Sequence, residues 1–424
     1  MRQDPFNDDR QMRSRRPNTA GVARRASSTR FAPENIGRPL KILLTGYRFD
    51  VLGGLEIVSA AIAKMLADAG HHVQCAAVHG HGVVDKDGYR IIGTAPSMRV
   101  ARSIAHRFPR LYPMRELRRL AAWADVIVAV HCHTLPKVFS AVAPLRNPPP
   151  VVAWLHGREV WGNQGVAYAR YLRRADWLVA VSRYTAGLAT ALLGPQYKPE
   201  VIYNPVDTDY FRATQPGGIV RHSILTVGRI GSDTEHKGYD MLLKALAILQ
   251  QRCPELPLTL RIAGGGSRLP ALQAVAAQLG VADRVEFTGP ISRSQLAHHY
   301  ATCDLFAFPS KVMEKGSEYI GEGFGVVNIE AAACGRPVLT STHGGCPETI
   351  VPNVTGILVD PTREEAIADG IESMFRLSPE DRDQMGERGR RFVEENFAYE
   401  TISARIATVV GRCCHDAVNA GRGP

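Results

Sequence analysis

Glu322 and Glu330 stand eight residues apart at the ends of the string Glu-Gly-Phe-Gly-Val-Val-Asn-Ile-Glu, which runs on through Ala331-Ala332-Ala333-Cys334-Gly335-Arg336-Pro337-Val338. Gly325 permits a tight entry, residues 328–334 suit a helix, and Gly335 suits its stop before a strand from Val338. On one continuous helix the two carboxylates would lie about 12 Å apart along the axis and nearly a quarter-turn out of phase. With Glu322 in the preceding loop they instead straddle the helix N-terminus. That end offers unpaired N–H groups and a positive dipole, a ready place for phosphate. The arrangement suits a ligand with hydroxyls at both ends and a diphosphate between them, as in a nucleotide sugar.

Elements able to position such a site recur along the chain. Residues 40–45 form an apolar strand, followed by a loop ending in Gly53-Gly54 and a helix over 56–69 closed by Gly70. Strand, glycine-containing loop and helix make the first unit of a doubly wound sheet. Further strands are expected at 73–78, 125–130, 151–155, 177–181 and 201–203, with parallel pairing through right-handed crossovers. A second series begins at 223–227 and continues at 258–263, 285–289, 304–308, from Val338, and 356–359. Ligands of such sheets bind beyond the strand C-terminal ends. Gly53-Gly54, His156-Gly157-Arg158-Glu159 and Ser182-Arg183 all fall there.

With 424 residues, two domains are the prior expectation. Charged residues at 22% and hydrophobic residues at 45% speak for an ordinary globular protein and against a disordered one. No apolar run approaches 18 residues, and no signal-like apolar core opens the chain, so neither a membrane span nor secretion is expected. The eight scattered cysteines read as reduced, cytoplasmic usage. His131-Cys132-His133 ends an apolar strand with alternating faces and no second ligand pair, so no metal is expected there.

The Glu322–Glu330 string resembles the E-x7-E signature of retaining glycosyltransferases of the GT-B fold, most closely family 4. The resemblance implies an α/β architecture of two doubly wound, Rossmann-like domains facing across a cleft. It implies Glu322 on the transferred sugar, Glu330 on the ribose hydroxyls, and the backbone amides of Gly325, Val326 and Val327 on the distal phosphate. Gly53-Gly54-Leu55-Glu56 is similar to the family's G-G-x-E loop near the donor phosphate. Leu155-His156-Gly157 resembles the strand end whose histidine faces the sugar, although a lone histidine there is often structural. Gly228-Arg229 and Lys237-Gly238 resemble the G-R…K-G pair, implying Arg229 and Lys237 as cations on the diphosphate, where fixed charge lowers the barrier to its departure. The loop between them is longer than usual. Residues 285–289 resemble the strand whose following loop, Pro290-Ile291-Ser292, borders the base. Residues 311–321 exceed the family's usual connection and are expected to form a polar loop near the sugar. Gly344-Gly345-Cys346-Pro347-Glu348 matches a further G-G-x-x-E segment.

The resemblance spans roughly residues 40–410 and divides the chain into a basic tail at 1–38, an acceptor-side domain at 39–206, a donor domain at 207–395 and a terminal helix at 396–413 that returns to the first domain. No cofactor or metal is expected beyond a UDP- or GDP-sugar donor. The acceptor is expected to be a sugar or a lipid-linked molecule. A sugar-nucleotide epimerase on the same fold, a glycoside hydrolase using both glutamates, and a non-catalytic nucleotide-sugar sensor remain as alternatives.

The net charge of +10 is uneven. Residues 1–38 hold nine Arg against four acids, and residues 98–120 hold seven Arg against Glu116, leaving the rest near neutral. The first block lacks apolar periodicity and reads as disordered. In the second, apolar residues interleave with the arginines, and Pro109 and Pro113 divide it into two short helices. The pattern fits docking on an anionic membrane surface from the cytoplasmic side, or else a solvated helix face. No nucleic-acid module is recognisable.

Overall fold

The computed structural model describes residues 38–47, 54–77, 83–86, 88–93, 111–212, 218–316 and 318–421. The first sheet comprises β1 (Lys41–Gly46), β2 (His72–Ala77), β3 (Val83–Lys86), β4 (Tyr89–Gly93), β5 (Val126–Ala129), β6 (Val151–Leu155), β7 (Trp177–Ala180) and β8 (Glu200–Val201). Their order is β3-β4-β2-β1-β5-β6-β7-β8, parallel throughout except for β3 against β4. The second sheet takes β9 (Val220–Val227), β10 (Thr259–Ala263), β11 (Val285–Gly289) and β12 (Cys303–Phe308), with β15 (Val338–Ser341) and β16 (Gly356–Val359). Its order is β11-β10-β9-β12-β15-β16, all parallel. Every residue of β5, β6, β12 and β15 is buried, as strands covered by helices on both faces must be. These are the two doubly wound, Rossmann-like domains of a GT-B architecture.

Between β12 and β15 stands a hairpin, β13 (Met313–Lys315) and β14 (Glu318–Ile320), with Met313 opposite Ile320. The polar loop expected at 311–321 is therefore paired, with Gly316 at φ +65° in its turn. β3 and β4 were not legible in sequence: all four residues of β3 are exposed, so that edge strand has no buried face to set a period.

The apolar core is continuous through the seam between the sheets. Val181, Ile202, Val206 and Phe211 belong to the same buried cluster as Phe324, Phe397 and Ile402. The chain crosses the seam a second time there, where the Val206 N–H donates to the Phe397 carbonyl at 2.9 Å. The helix Tyr399–Asn419 then packs on the helix Gly54–Asp68 of the first sheet. It continues past Gly411, which is buried inside it. The preceding helix, Pro379–Phe397, is pinned to β12 by Arg382, whose guanidinium meets the fully buried Asp304 carboxylate at 3.0 and 3.2 Å.

The basic block at 98–120 is only partly within the described residues, which begin again at 111; Arg99, Arg102, Arg107 and Arg110 lie outside them. From Leu111 to Trp123 the chain is one helix, not broken at Pro113. Pro113 falls in the first turn, where an amide has no carbonyl to reach and its loss costs little. No helix among the described residues is long and apolar enough to cross a membrane.

Candidate active site

β12 feeds the hairpin, a loop over 321–325 and the helix Val326–Ala333, which returns into β15. The helix starts two residues earlier than the spacing predicts. Its entry is made by Gly325, at φ +96°, where a Cβ would press within 3.0 Å of the Asn328 amide nitrogen. Asn328 is buried and holds this turn: its side chain donates to Thr340 at 2.9 Å and Thr349 at 3.0 Å, and its N–H to the Gly325 carbonyl at 3.0 Å. Val326 and Val327 supply the leading amides, which no carbonyl of the helix itself can reach.

Glu322 lies in the loop and Glu330 on the helix. The Lys237 ammonium stands 3.0 Å from Glu322 Oε1 and 5.1 Å from the centroid of the Phe308 ring. His236 brings its Nε2 to 3.5 Å of the same oxygen. Burial alone would raise the Glu322 carboxyl, but Lys237 and His236 outweigh it and hold it at about 2. One carboxylate oxygen thus faces the Lys237 ammonium and the His236 ring nitrogen, and the other retains its accepting capacity. Arg229 follows β9 on the same rim. Its side chain is 71% exposed and paired with Asp233 at 2.9 Å, a contact of low cost to exchange for another anion.

Glu330 has different neighbours. The Tyr300 hydroxyl donates to its Oε2 at 2.9 Å. Burial pushes the Glu330 carboxyl up to about 7, with Tyr300 and Arg293 pulling the other way. Arg293 lies over the Tyr210 ring at 4.2 Å and near Asp207 at 3.6 Å. Ile291, in the loop after β11, is half-buried against the central core.

The first sheet contributes His156 from the end of β6. Its Nε2 donates to the Val130 carbonyl at 2.9 Å, which fixes the tautomer and leaves Nδ1 as an acceptor. Nδ1 is buried with no hydrogen-bond partner among the described residues. Burial pushes His156 down to about 4, so the ring is neutral near pH 7. The two halves meet backbone to backbone here: a Cβ on Gly323 would run into the His156 carbonyl oxygen. His131 stands edge-on to His156 at 6.1 Å and accepts the Tyr47 N–H at 3.2 Å. Among the described residues no group of three or more His, Cys, Asp or Glu side chains is arranged to hold a metal.

The structure therefore pairs Glu322 with Lys237 and sets the His156 backbone against the adjoining Gly323, with Glu330 on the helix that follows. Gly54 opens the first helix, and Gly53 lies outside the described residues. His236 and Tyr300 were missed from sequence. The first adjoins Lys237 in the lengthened loop, which was its one available signal; the second is 30 residues from Glu330 on another helix.

The family model described as glycosyl transferases group 1 matches residues 221–392, and that described as glycosyltransferase family 4 matches residues 52–210. The GDP-mannose-dependent alpha-(1-6)-phosphatidylinositol monomannoside mannosyltransferase of Mycolicibacterium smegmatis is 36% identical over 296 residues, covering 64% of this chain and 75% of that protein. The D-inositol 3-phosphate glycosyltransferase of Streptomyces scabiei is 30% identical over 315 residues, covering 70% of this chain and 65% of that protein. Among solved structures, Anabaena HepE in complex with UDP and glucose superposes with a TM-score of 0.70 at 21% identity, covering 88% of this chain and 99% of that one. That last likeness is one of fold.

Proposed function

The chain belongs to the family 4 glycosyltransferases of glycosyl transferases group 1, and from that premise we propose that it moves a mannosyl unit from GDP-mannose to a hydroxyl of a lipid-borne inositol or sugar acceptor, with retention of configuration. One observation carries the reading: a loop carboxylate, Glu322, and a helix carboxylate, Glu330, straddle the N-terminus of the helix Val326–Ala333, with Lys237 at 3.0 Å from the first. The relatives' GDP-mannose and inositol-containing acceptors support the choice of donor and acceptor.

In this mechanism Glu330 accepts the ribose hydroxyls, and the amides of Val326 and Val327 hold the distal phosphate. Glu322 accepts a hydroxyl of the transferred sugar. The neutral His156 offers Nδ1 as an acceptor from the facing half. Lys237 and Arg229 stabilise charge on the departing diphosphate, an effect strongest where water is excluded. The acceptor hydroxyl attacks on the face the diphosphate leaves, and the leaving phosphate oxygen takes its proton. The two cations are assigned the charge-stabilising role, so no metal requirement is proposed.

The test supplies the purified chain with GDP-mannose, GDP-glucose, UDP-glucose or UDP-N-acetylglucosamine, each with and without phosphatidylinositol or its monomannoside. Product mass and anomeric configuration are read by mass spectrometry and NMR. Expected are acceptor-dependent consumption of GDP-mannose, a product with the donor's anomeric configuration, and rates unchanged by EDTA. Acceptor-independent conversion of the donor to an isomeric nucleotide sugar would replace this reading with an epimerase, and an inverted product would remove the same-face step.

A further inference from the structure

The loop that carries Glu322 is gripped from both sides of the cleft. On its own side the Gly345 N–H donates to the Glu322 carbonyl at 3.0 Å. From the facing half, the fully buried Ser182 hydroxyl donates to the Gly323 carbonyl at 2.7 Å. Ser182 is also the N-cap of the helix Arg183–Leu193, where its oxygen accepts the Thr185 N–H at 3.0 Å.

Glu348, three residues beyond Gly345, reaches the other way. Its two carboxylate oxygens accept the N–H groups of Arg183 and Tyr184, each at 2.9 Å, and the Tyr203 hydroxyl donates to it at 3.1 Å. Two sets of polar contacts thus join the same two segments, residues 182–185 supplying the donors and residues 322–348 the acceptors. Each is of the strong or the buried kind: one is a carboxylate on helix N-terminal amides, the other a hydroxyl sealed from water.

We propose that Ser182 and Glu348 are positioning residues that make the alignment of Glu322 conditional on closure of the two halves. The proposal rests on the transfer reading above. Lys237 and His236 orient the Glu322 carboxylate, but they sit on the same half and cannot report the position of the other. The Gly323 carbonyl can, because its donor belongs to the segment after β7. When the halves part, Gly323 loses the Ser182 hydroxyl, and the amides of Arg183 and Tyr184 lose their acceptor. The catalytic loop is then held from one side only, away from His156. Closure of this kind completes a catalytic constellation while leaving substrate binding on one half intact.

Loss of the clamp should therefore lower kcat and spare nucleotide affinity, since Glu330, Lys237 and Arg229 all belong to the second half. Glu348→Gln keeps size but offers one accepting oxygen to two amides, and Ser182→Ala removes the shorter cross-cleft donor to Gly323, leaving the Thr185 hydroxyl at 3.4 Å. Each is expected to reduce kcat about tenfold or more, with the Kd of free GDP held within about twofold, and Ser182→Thr to recover most of the loss. Hydrogen exchange gives a readout independent of turnover: the Arg183 and Tyr184 amides should be protected in the wild type and exchange faster in Glu348→Gln. Since Ser182 also caps its helix, Glu348→Gln carries the test if Ser182→Ala fails to fold. Unchanged kcat, or GDP affinity falling in step with kcat, would overturn the positioning role. Unprotected Arg183 and Tyr184 amides in the wild type would overturn the clamp itself. Protected amides in a wild type that transfers no sugar would instead overturn the transfer reading and the positioning role that depends on it.

Discussion

Lys237 Nζ and Glu322 Oε1 stand 3.0 Å apart although 85 residues separate them in the chain. Both side chains are mostly withdrawn from water, with 16% and 22% of their surface left exposed. A pair so placed is held as a pair, because removing one partner strands the other charge. The Glu322 carboxyl is held at about 2 in the fold against an ordinary 4.5, so its contribution to stability is fully present above about pH 4.5 and is lost as pH falls toward 2.

Lys237→Ala should lower kcat by about 10²–10³, the usual cost of one preorganised charge donor. It should also leave His236 alone against burial, so that the Glu322 carboxyl rises and an acid limb appears in the kcat/KM profile at higher pH than in the wild type. Arg229→Ala should slow turnover without that shift, because Arg229 pairs with Asp233 and not with Glu322. Wild-type rates in both variants would remove the diphosphate role, and an unchanged profile in Lys237→Ala would remove the coupling to Glu322.

Glu330 makes donor binding depend on pH in the same sense as an ordinary carboxylate site, but in a window well above the ordinary carboxylate range. Its pKa of about 7 leaves it protonated at pH 6 and ionised at pH 8, and the ionised form accepts two ribose hydroxyls. Free GDP should bind more tightly as pH rises across that interval. Glu330→Gln should flatten the dependence and weaken binding at pH 8 by about 1–3 kcal/mol. Tyr300→Phe removes the hydrogen bond that restrains the rise, so the midpoint should move higher still. Calorimetric titration of GDP at several pH values checks all three; a flat wild-type profile would dismiss the ribose assignment.

Parallel strands were most legible where both faces are buried and the run is apolar from end to end, as in β5 and β6. The exposed edge strand β3 offered no such run. Within the site, Glu322, Glu330 and Gly325 are local to one string and could be read together. Tyr300 and Ser182 could not: a buried hydroxyl gives no sign in sequence of which distant carbonyl or carboxylate it will meet. Two apolar residues among the arginines of 98–120 have a role set by packing that their spacing did not reveal. Leu117 and Leu120 are buried in the core of the first domain, so their stripe is the inner face of an ordinary amphipathic helix.

That burial sharpens the prediction for membrane docking. With Leu117 and Leu120 committed to the core, the helix Leu111–Trp123 has charge to offer an anionic surface, while those two apolar side chains cannot insert. Arg115, Arg118 and Arg119 are all exposed, and Arg119 is engaged with Glu116. Lys137, Arg170 and Arg174 are exposed on the neighbouring helices and connections of the same domain, the last two stacked over Tyr171 and Phe139. We therefore predict reversible docking on anionic lipid, contributing up to roughly 1 kcal/mol per engaged Arg and lost as salt shortens the screening length. Co-sedimentation with vesicles of phosphatidylcholine, with and without phosphatidylinositol, should recover the wild type from the anionic vesicles at low salt. Changing Arg115, Arg118 and Arg119 together to Ser should weaken that recovery, with Arg119→Ser alone having the least effect because Glu116 already neutralises it. Equal recovery of the wild type and the triple variant, or of the wild type from both kinds of vesicle, would leave these arginines as a solvated helix face.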